Sequence, residues 1–237
     1  GVPLAQARAD LAGYYAHCSA LDEYIGDLLA TLQRTGLDQN TLIVFTSDHG
    51  DMLGSHAMQR KQRPYEESAR VPMLWRLPAS AKIKPGRVEG TMNTEDVMPT
   101  LLSFCRVKIP DSVEGLDFSK YLQGGEDPSG GEALIQCVAP FGEYSRKNGG
   151  REYRALRTAH YTYARDLQGP WFLYDNQKDP LQLNNLLGQP EVAALQAELD
   201  AKLKAKLKAQ HDEFLPGDVY IKRWFYKVDE TGTLPTR

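Results

Sequence analysis

Between Thr41 and Thr46 the chain reads TLIVFT, a strand-length run whose Leu-Ile-Val-Phe centre does not alternate with polar residues. A strand of that pattern wants apolar cover on both faces, the situation of a sheet layered between helices. Leu11, Tyr14, Tyr15, Cys18, Leu21, Ile25, Leu28, Leu29 and Leu32 recur before it at helical spacing. They predict one long amphipathic helix from about Leu4 to Thr35, with Gly36 as its C-cap. Helix, four-residue turn and buried strand in that order predict a parallel α/β sheet.

The strand ends abruptly in Ser47, Asp48, His49, Gly50 and Asp51. In open α/β sheets the carboxyl ends of strands are where loops converge and ligands bind. A carboxylate and an imidazole entering one crevice make half of a divalent metal site, with hard oxygen ligands favouring Ca, Mg or Mn. For the dipeptide alone the favoured reading is plainer, Asp48 capping a turn and His49 an incidental loop residue. His56 and Lys61 follow in the same loop and add a second imidazole and a cation able to meet an anionic substrate. Glu66, Glu67 and Arg70 read as a structural ion-pair network.

The segment from residue 48 to 67 is polar and long for a connection, and it leads to a second apolar run, Val71 to Leu77. Asn93 or Thr94 caps a helix running to about Phe104, with Glu95 and Asp96 in its first turn. The Gly-rich stretch 115–131 then divides the chain. Residues 1–125 read as α/β, and residues 126–237 read as a small α+β subdomain. Its strands are Ala133 to Ala139, Tyr153 to Arg165 and Trp171 to Tyr174, and a helix follows from Pro190 to about Glu213. The segment AKLKAKLKA alternates like a strand, but Ala, Leu and Lys are strong helix formers, so it is assigned to that helix with its four lysines solvated.

Charge and cysteine content bound the partners. With 28 basic and 31 acidic residues the formal charge is −3, so no global field recruits nucleic acid or an anionic membrane. No apolar run is long enough to span a bilayer. Cys18, Cys105 and Cys137 form no CxxC pair and no disulfide framework.

SDHGDMLGSH followed by KQRPYEESARVPMLWRLP resembles the segment of formylglycine-dependent sulfatases that reads T-S-D-H/N-G, then G-x-H, K-x-x-x-Y-E and R-x-P before an apolar strand. The resemblance extends upstream through YYAHCSALDEYIGDLLATLQRTGLDQNTLIVFTSDHG. Downstream it takes in EDVMPTLLSFCRVKIPDSVEGLDFSKYLQG, RALRTAHYTYARD and LYDNQKDPLQLNNLL.

It implies part of the alkaline-phosphatase-like central sheet flanked by helices, with a smaller C-terminal α+β subdomain. It also implies a divalent metal, usually calcium, held in part by Asp48 and His49. Lys61 matches the lysine that contacts the sulfate group, and His56 falls where the same pocket is lined. The substrate it implies is a small sulfate ester or a sulfated glycan, in a periplasmic or secreted setting. The departure lies in the nucleophile. That family makes a formylglycine from Cys or Ser within C/S-x-P-S/A-R, which does not occur in this sequence, and its N-terminal Asp-Asp metal ligands are also missing. The chain therefore reads as the C-terminal portion of such an enzyme, inactive alone. A phosphoester or phosphonate monoester hydrolase of the same superfamily and a non-catalytic remnant are the competing readings.

Overall fold

The computed structural model describes residues 3–78, 81 and 83–233. The chain divides into two units, Gly1–Lys61 with Glu67–Gly86, and Gln62–Glu66 with Arg87–Arg237. Residues 87–125 thus group with the C-terminal strands.

In the first unit, helix α1 (Leu4–Thr35) ends at Gly36, whose φ of 72° is the left-handed cap expected of a glycine there. Strand β1 (Ile43–Thr46) pairs with β2 (Met73–Arg76), Ile43 opposite Arg76 and Thr46 opposite Met73. The pairing is antiparallel, which corrects the parallel arrangement predicted from the helix-turn-strand order. The polar segment between the strands supplies only short turns and the one-turn helix α2 (Glu66–Ala69), so the chain doubles back instead of crossing over. Cover differs from expectation as well. No residue of α1 is buried, and Tyr24, Leu28, Phe45 and Leu74 stay exposed.

The second unit begins with α3 (Val97–Phe104), entered through a capping box in which the side chain of Asn93 and that of Asp96 each receive the other's backbone N–H. Its sheet is a four-stranded antiparallel meander of β3 (Glu132–Cys137), β4 (Tyr153–Thr158), β5 (Tyr161–Asp166) and β6 (Gly169–Asp175). The single long strand expected over Tyr153 to Arg165 is in fact a hairpin. It has no glycine at its corner because the Thr158 hydroxyl accepts the N–H groups of Tyr161 and His160 at 2.9 and 3.3 Å.

Alternate residues build two cores. Leu134, Leu156, Tyr163 and Leu173 meet Leu199, Leu203 and Leu207 of helix α4 (Ala193–Ala209), whose four-residue spacing puts all three on one face. Cys137, Tyr153, Ala155, Ala164, Phe172 and Tyr174 form the other core. Tyr65 lies on that core, its ring stacked on Phe172 at 5.3 Å. Lys202 and Lys204 of α4 face outward and pair with Glu198 and Asp200, exposed lysines whose pairs add little stability, whereas Lys206 is largely covered beside Glu132. A further helix, α5 (Gly217–Arg223), closes the described fold. Among the described residues no helix is long and apolar enough to cross a membrane.

Candidate functional site

β1 delivers Asp48 and His49 at its carboxyl end, both exposed. The Nδ1 of His49 lies 2.7 Å from the carbonyl oxygen of Gly50. A carbonyl only accepts, so Nδ1 carries a proton, and in the neutral form of the ring the Nε2 lone pair is the one left for a ligand. That Nε2 stands 3.3 Å from Oδ2 of Asp48. Oδ1 of the same carboxylate accepts the His49 N–H at 3.0 Å, a bond that holds Asp48 ionised below the ordinary carboxylate range.

In that form two lone-pair donors face one another. Ligands about 2.4 Å from one ion and at right angles to each other lie about 3.4 Å apart, so the pair fits two adjacent positions on a cation. It is a partial set, because calcium takes six to eight oxygens. Among the described residues no three Cys, His, Asp or Glu side chains converge on one metal position.

Gly50 has a steric reason to be glycine. Its N–H donates to the Ser68 carbonyl at 2.9 Å, and a Cβ built there would fall 1.9 Å from the Glu67 carbonyl oxygen. Gly50→Ala is expected to destabilise the first unit by about 1–3 kcal/mol, the cost of overpacking against backbone that cannot yield. Urea titration checks this, and an unchanged midpoint would disprove the close approach.

The loop beyond is braced from within. Oδ1 of Asp51 accepts the N–H groups of Leu53 and Arg60 at 2.9 and 3.0 Å, and the Met52 N–H meets the Arg60 carbonyl at 2.8 Å. Met52 fills the interior with no exposure. Leu53, His56, Ala57, Arg60 and Gln62 all adopt positive φ, between 45° and 73°. Such conformations cost energy in non-glycine residues and collect at functional segments.

His56 sits at the tip with Nε2 3.9 Å from Oε1 of Glu67, and Lys61 is half-buried where the loop ends. The structure therefore places the four residues singled out from sequence in two groups, the Asp48–His49 pair and the braced loop carrying His56 and Lys61. Sequence reasoning gave Glu66 and Glu67 one structural duty. Glu66 performs it, forming two hydrogen bonds to Arg157 at 2.7 and 3.1 Å, while Glu67 faces His56. The brace by Asp51 went unread, since its partner lies nine residues on.

Residues 54–210 match the family described as N-sulphoglucosamine sulphohydrolase, C-terminal. The chain belongs to the sulfatase family.

The match is to the C-terminal portion of sulfatases, and residues 13–90 also match the type I phosphodiesterase/nucleotide pyrophosphatase family. The sulfatase chain is 46% identical over 225 residues to an ulvan-active sulfatase of Formosa agariphila, covering 94% of this chain and 43% of that protein. It is 36% identical over 189 residues to an arylsulfatase of Clostridium perfringens, covering 76% of this chain and 36% of that one. Among solved structures it resembles BT4656 in complex with its substrate D-glucosamine-2-N,6-O-disulfate. The TM-score is 0.69 and the identity 31%, over 83% of this chain and 40% of that one. A phosphonate monoester hydrolase of Agrobacterium radiobacter gives a TM-score of 0.70 at 28% identity, over 94% of this chain and 44% of the other. The sulfatase chain thus spans less than half the length of these relatives, and its fold is that of alkaline-phosphatase-like sulfatases.

Proposed function

We propose that this chain carries the metal- and sulfate-binding part of a sulfuric ester hydrolase active on sulfated glycans. The observation that carries the reading is the convergence of Asp48 Oδ2 and His49 Nε2 at 3.3 Å, with the histidine tautomer set by Gly50. Asp48 and His49 would hold a divalent ion, calcium first among candidates. When bound, such an ion draws charge from sulfate oxygens as they gain it in the transition state.

Lys61 offers its ammonium to a second sulfate oxygen, a point charge that needs no fixed orientation. His56 would line the same site, its ring 3.9 Å from the Glu67 carboxylate. The nucleophile, a hydrated formylglycine, and the remaining metal ligands would lie in a part of the protein outside these 237 residues. The bare apolar surface of α1, β1 and β2 supports such a companion, since faces of this kind are normally covered. The likeness to an ulvan-active sulfatase supports a polysaccharide substrate.

The purified chain alone is expected to show no calcium-dependent hydrolysis of 4-nitrophenyl sulfate, and a clear rate would overturn the division of the site. The longer protein is expected to hydrolyse that ester, to lose the activity in EDTA and to regain it with calcium. A phosphonate monoester hydrolase is the second reading, favoured by the Agrobacterium structure. The paired assay on 4-nitrophenyl phenylphosphonate separates them, and faster phosphonate turnover would replace the sulfatase reading.

A further inference from the structure

The second unit contains a cleft of about 350 Å³ that plays no part in the metal and sulfate chemistry. Trp224, Tyr226 and Phe141 are exposed there, and Gln62 and Gln136 add two side-chain amides. Trp224 follows the last turn of α5, and a positive φ of 58° at Phe225 turns the chain so that Tyr226 meets Trp224 edge to face, ring centres 6.3 Å apart. The wall is rigid. Tyr220 lies 5.2 Å from Trp224 with its hydroxyl bonded to Asp212 at 3.0 Å, and the Gln62 amide nitrogen donates to the Phe141 carbonyl at 3.2 Å.

Two features define what fits. Among the described residues the lining holds no Asp, Glu, Lys or Arg, so nothing there compensates a charged ligand. The Oε1 of Gln62 is buried and finds no hydrogen-bond donor among the described residues. A buried acceptor without a partner carries a desolvation cost that a donor brought to it would relieve. Aromatic faces, two amides and no charge match a sugar ring, whose C–H face packs on aromatic surface and whose hydroxyls donate to amide oxygens. The Cys137 thiol at the base is held protonated by burial, its pKa pushed up to about 12, and it has no part in the recognition.

We propose that this cleft binds an uncharged sugar ring of the glycan substrate. The inference rests on the glycan-sulfatase reading above for its substrate class, and Gln62 is the residue that follows Lys61 in the chain. Its test is direct binding, independent of turnover. Ulvan oligosaccharides, sulfated and chemically desulfated, are titrated into the 237-residue chain by NMR.

Saturable binding is expected with both, differing by less than about threefold and insensitive to salt, since no charge pair is formed. Trp224→Ala is expected to weaken it by about tenfold, the loss of one aromatic contact. Gln62→Leu is expected to weaken it comparably. Phe225→Ala, exposed beside the cleft but outside its lining, is expected to bind as the parent does. Binding that disappears on desulfation, or an unchanged affinity in Trp224→Ala, would overturn the proposal. So would no binding at all. Failure of the sulfatase reading shows elsewhere, in the aryl sulfate assay.

Discussion

Asp212→Ala is expected to destabilise the second unit by about 3–5 kcal/mol, the loss that follows when one partner of a buried ion pair is removed and the other stays behind. Arg154 is 1% exposed, one of the most enclosed large side chains in the molecule, and Asp212 is its counter-ion. The guanidinium also donates to the carbonyls of Tyr153 and Cys137 at 2.9 and 3.2 Å and lies over the Phe214 ring at 4.7 Å.

Oδ1 of Asp212 further accepts the Phe214 N–H and the Tyr220 hydroxyl, at 2.8 and 3.0 Å. One carboxylate thus ties β4 to the turn after α4 and to α5, and truncating it strands a buried cation. Replacing both partners by apolar groups, Arg154→Met with Asp212→Leu, is expected to recover much of the loss. Urea unfolding of the two variants measures the difference. A loss below about 1 kcal/mol for Asp212→Ala would show that the pair is incidental.

The same carboxylate sets an acid limit. Burial by itself would raise the Asp212 pKa, but bonds from Arg154, the Phe214 N–H and Tyr220 outweigh it and hold the group below its usual range. Glu152, bonded to Arg146 and the Gly217 N–H, and Asp200, bonded to Lys204 and Tyr163, are lowered on balance too. For groups lowered on folding, the stabilisation is fully present above the unfolded value of about 4. It is lost as pH falls through the folded values. Asp96 of the same unit is raised by burial and contributes with the opposite sign, so stability is expected to change little from neutral down to about pH 5 and to drop below that as the lowered groups outnumber it.

What the sequence disclosed follows from the range of the forces involved. Helices α1, α3 and α4 announce themselves by periodicity and by caps at Gly36 and Asn93, all signals within one turn of chain. The hairpin between β4 and β5 was hidden because its corner is closed by the Thr158 hydroxyl, where a Gly or Asn would have marked it. Pro170 lies within β6, an edge strand, opposite Arg165 beside a break in the pairing register, the kind of strand position that tolerates a proline. The short α5 follows Pro216 without apolar periodicity long enough to read. In the site, Asp48 and His49 are neighbours in sequence and so were legible. Gly50 against Glu67 and His56 against Glu67 are contacts across 17 and 11 residues that no local pattern encodes.

On the proposed function, in a protein that supplies the nucleophile, Asp48→Ala is expected to lower kcat/KM for an aryl sulfate by about a thousandfold. The carboxylate is accessible, its Oδ1 is occupied by the His49 N–H, and on the proposed reading Oδ2 would share a cation with Nε2 of His49. Without it the imidazole would face that cation alone, and a neutral nitrogen cannot offset a divalent charge. His49→Asn is expected to cost only about tenfold, because a carboxamide oxygen can occupy the imidazole's place as a hard donor. His49→Ala, which offers no donor, should approach the Asp48 variant.

Calcium titration of the EDTA-treated enzymes separates this from a folding defect. A ligand variant needs more calcium for half-maximal activity at unchanged melting temperature, whereas a misfolded one loses both together. If Asp48→Ala keeps more than a tenth of the parent activity at the parent's calcium requirement, the 3.3 Å pair is a turn cap with a histidine beside it, and the cation lies elsewhere.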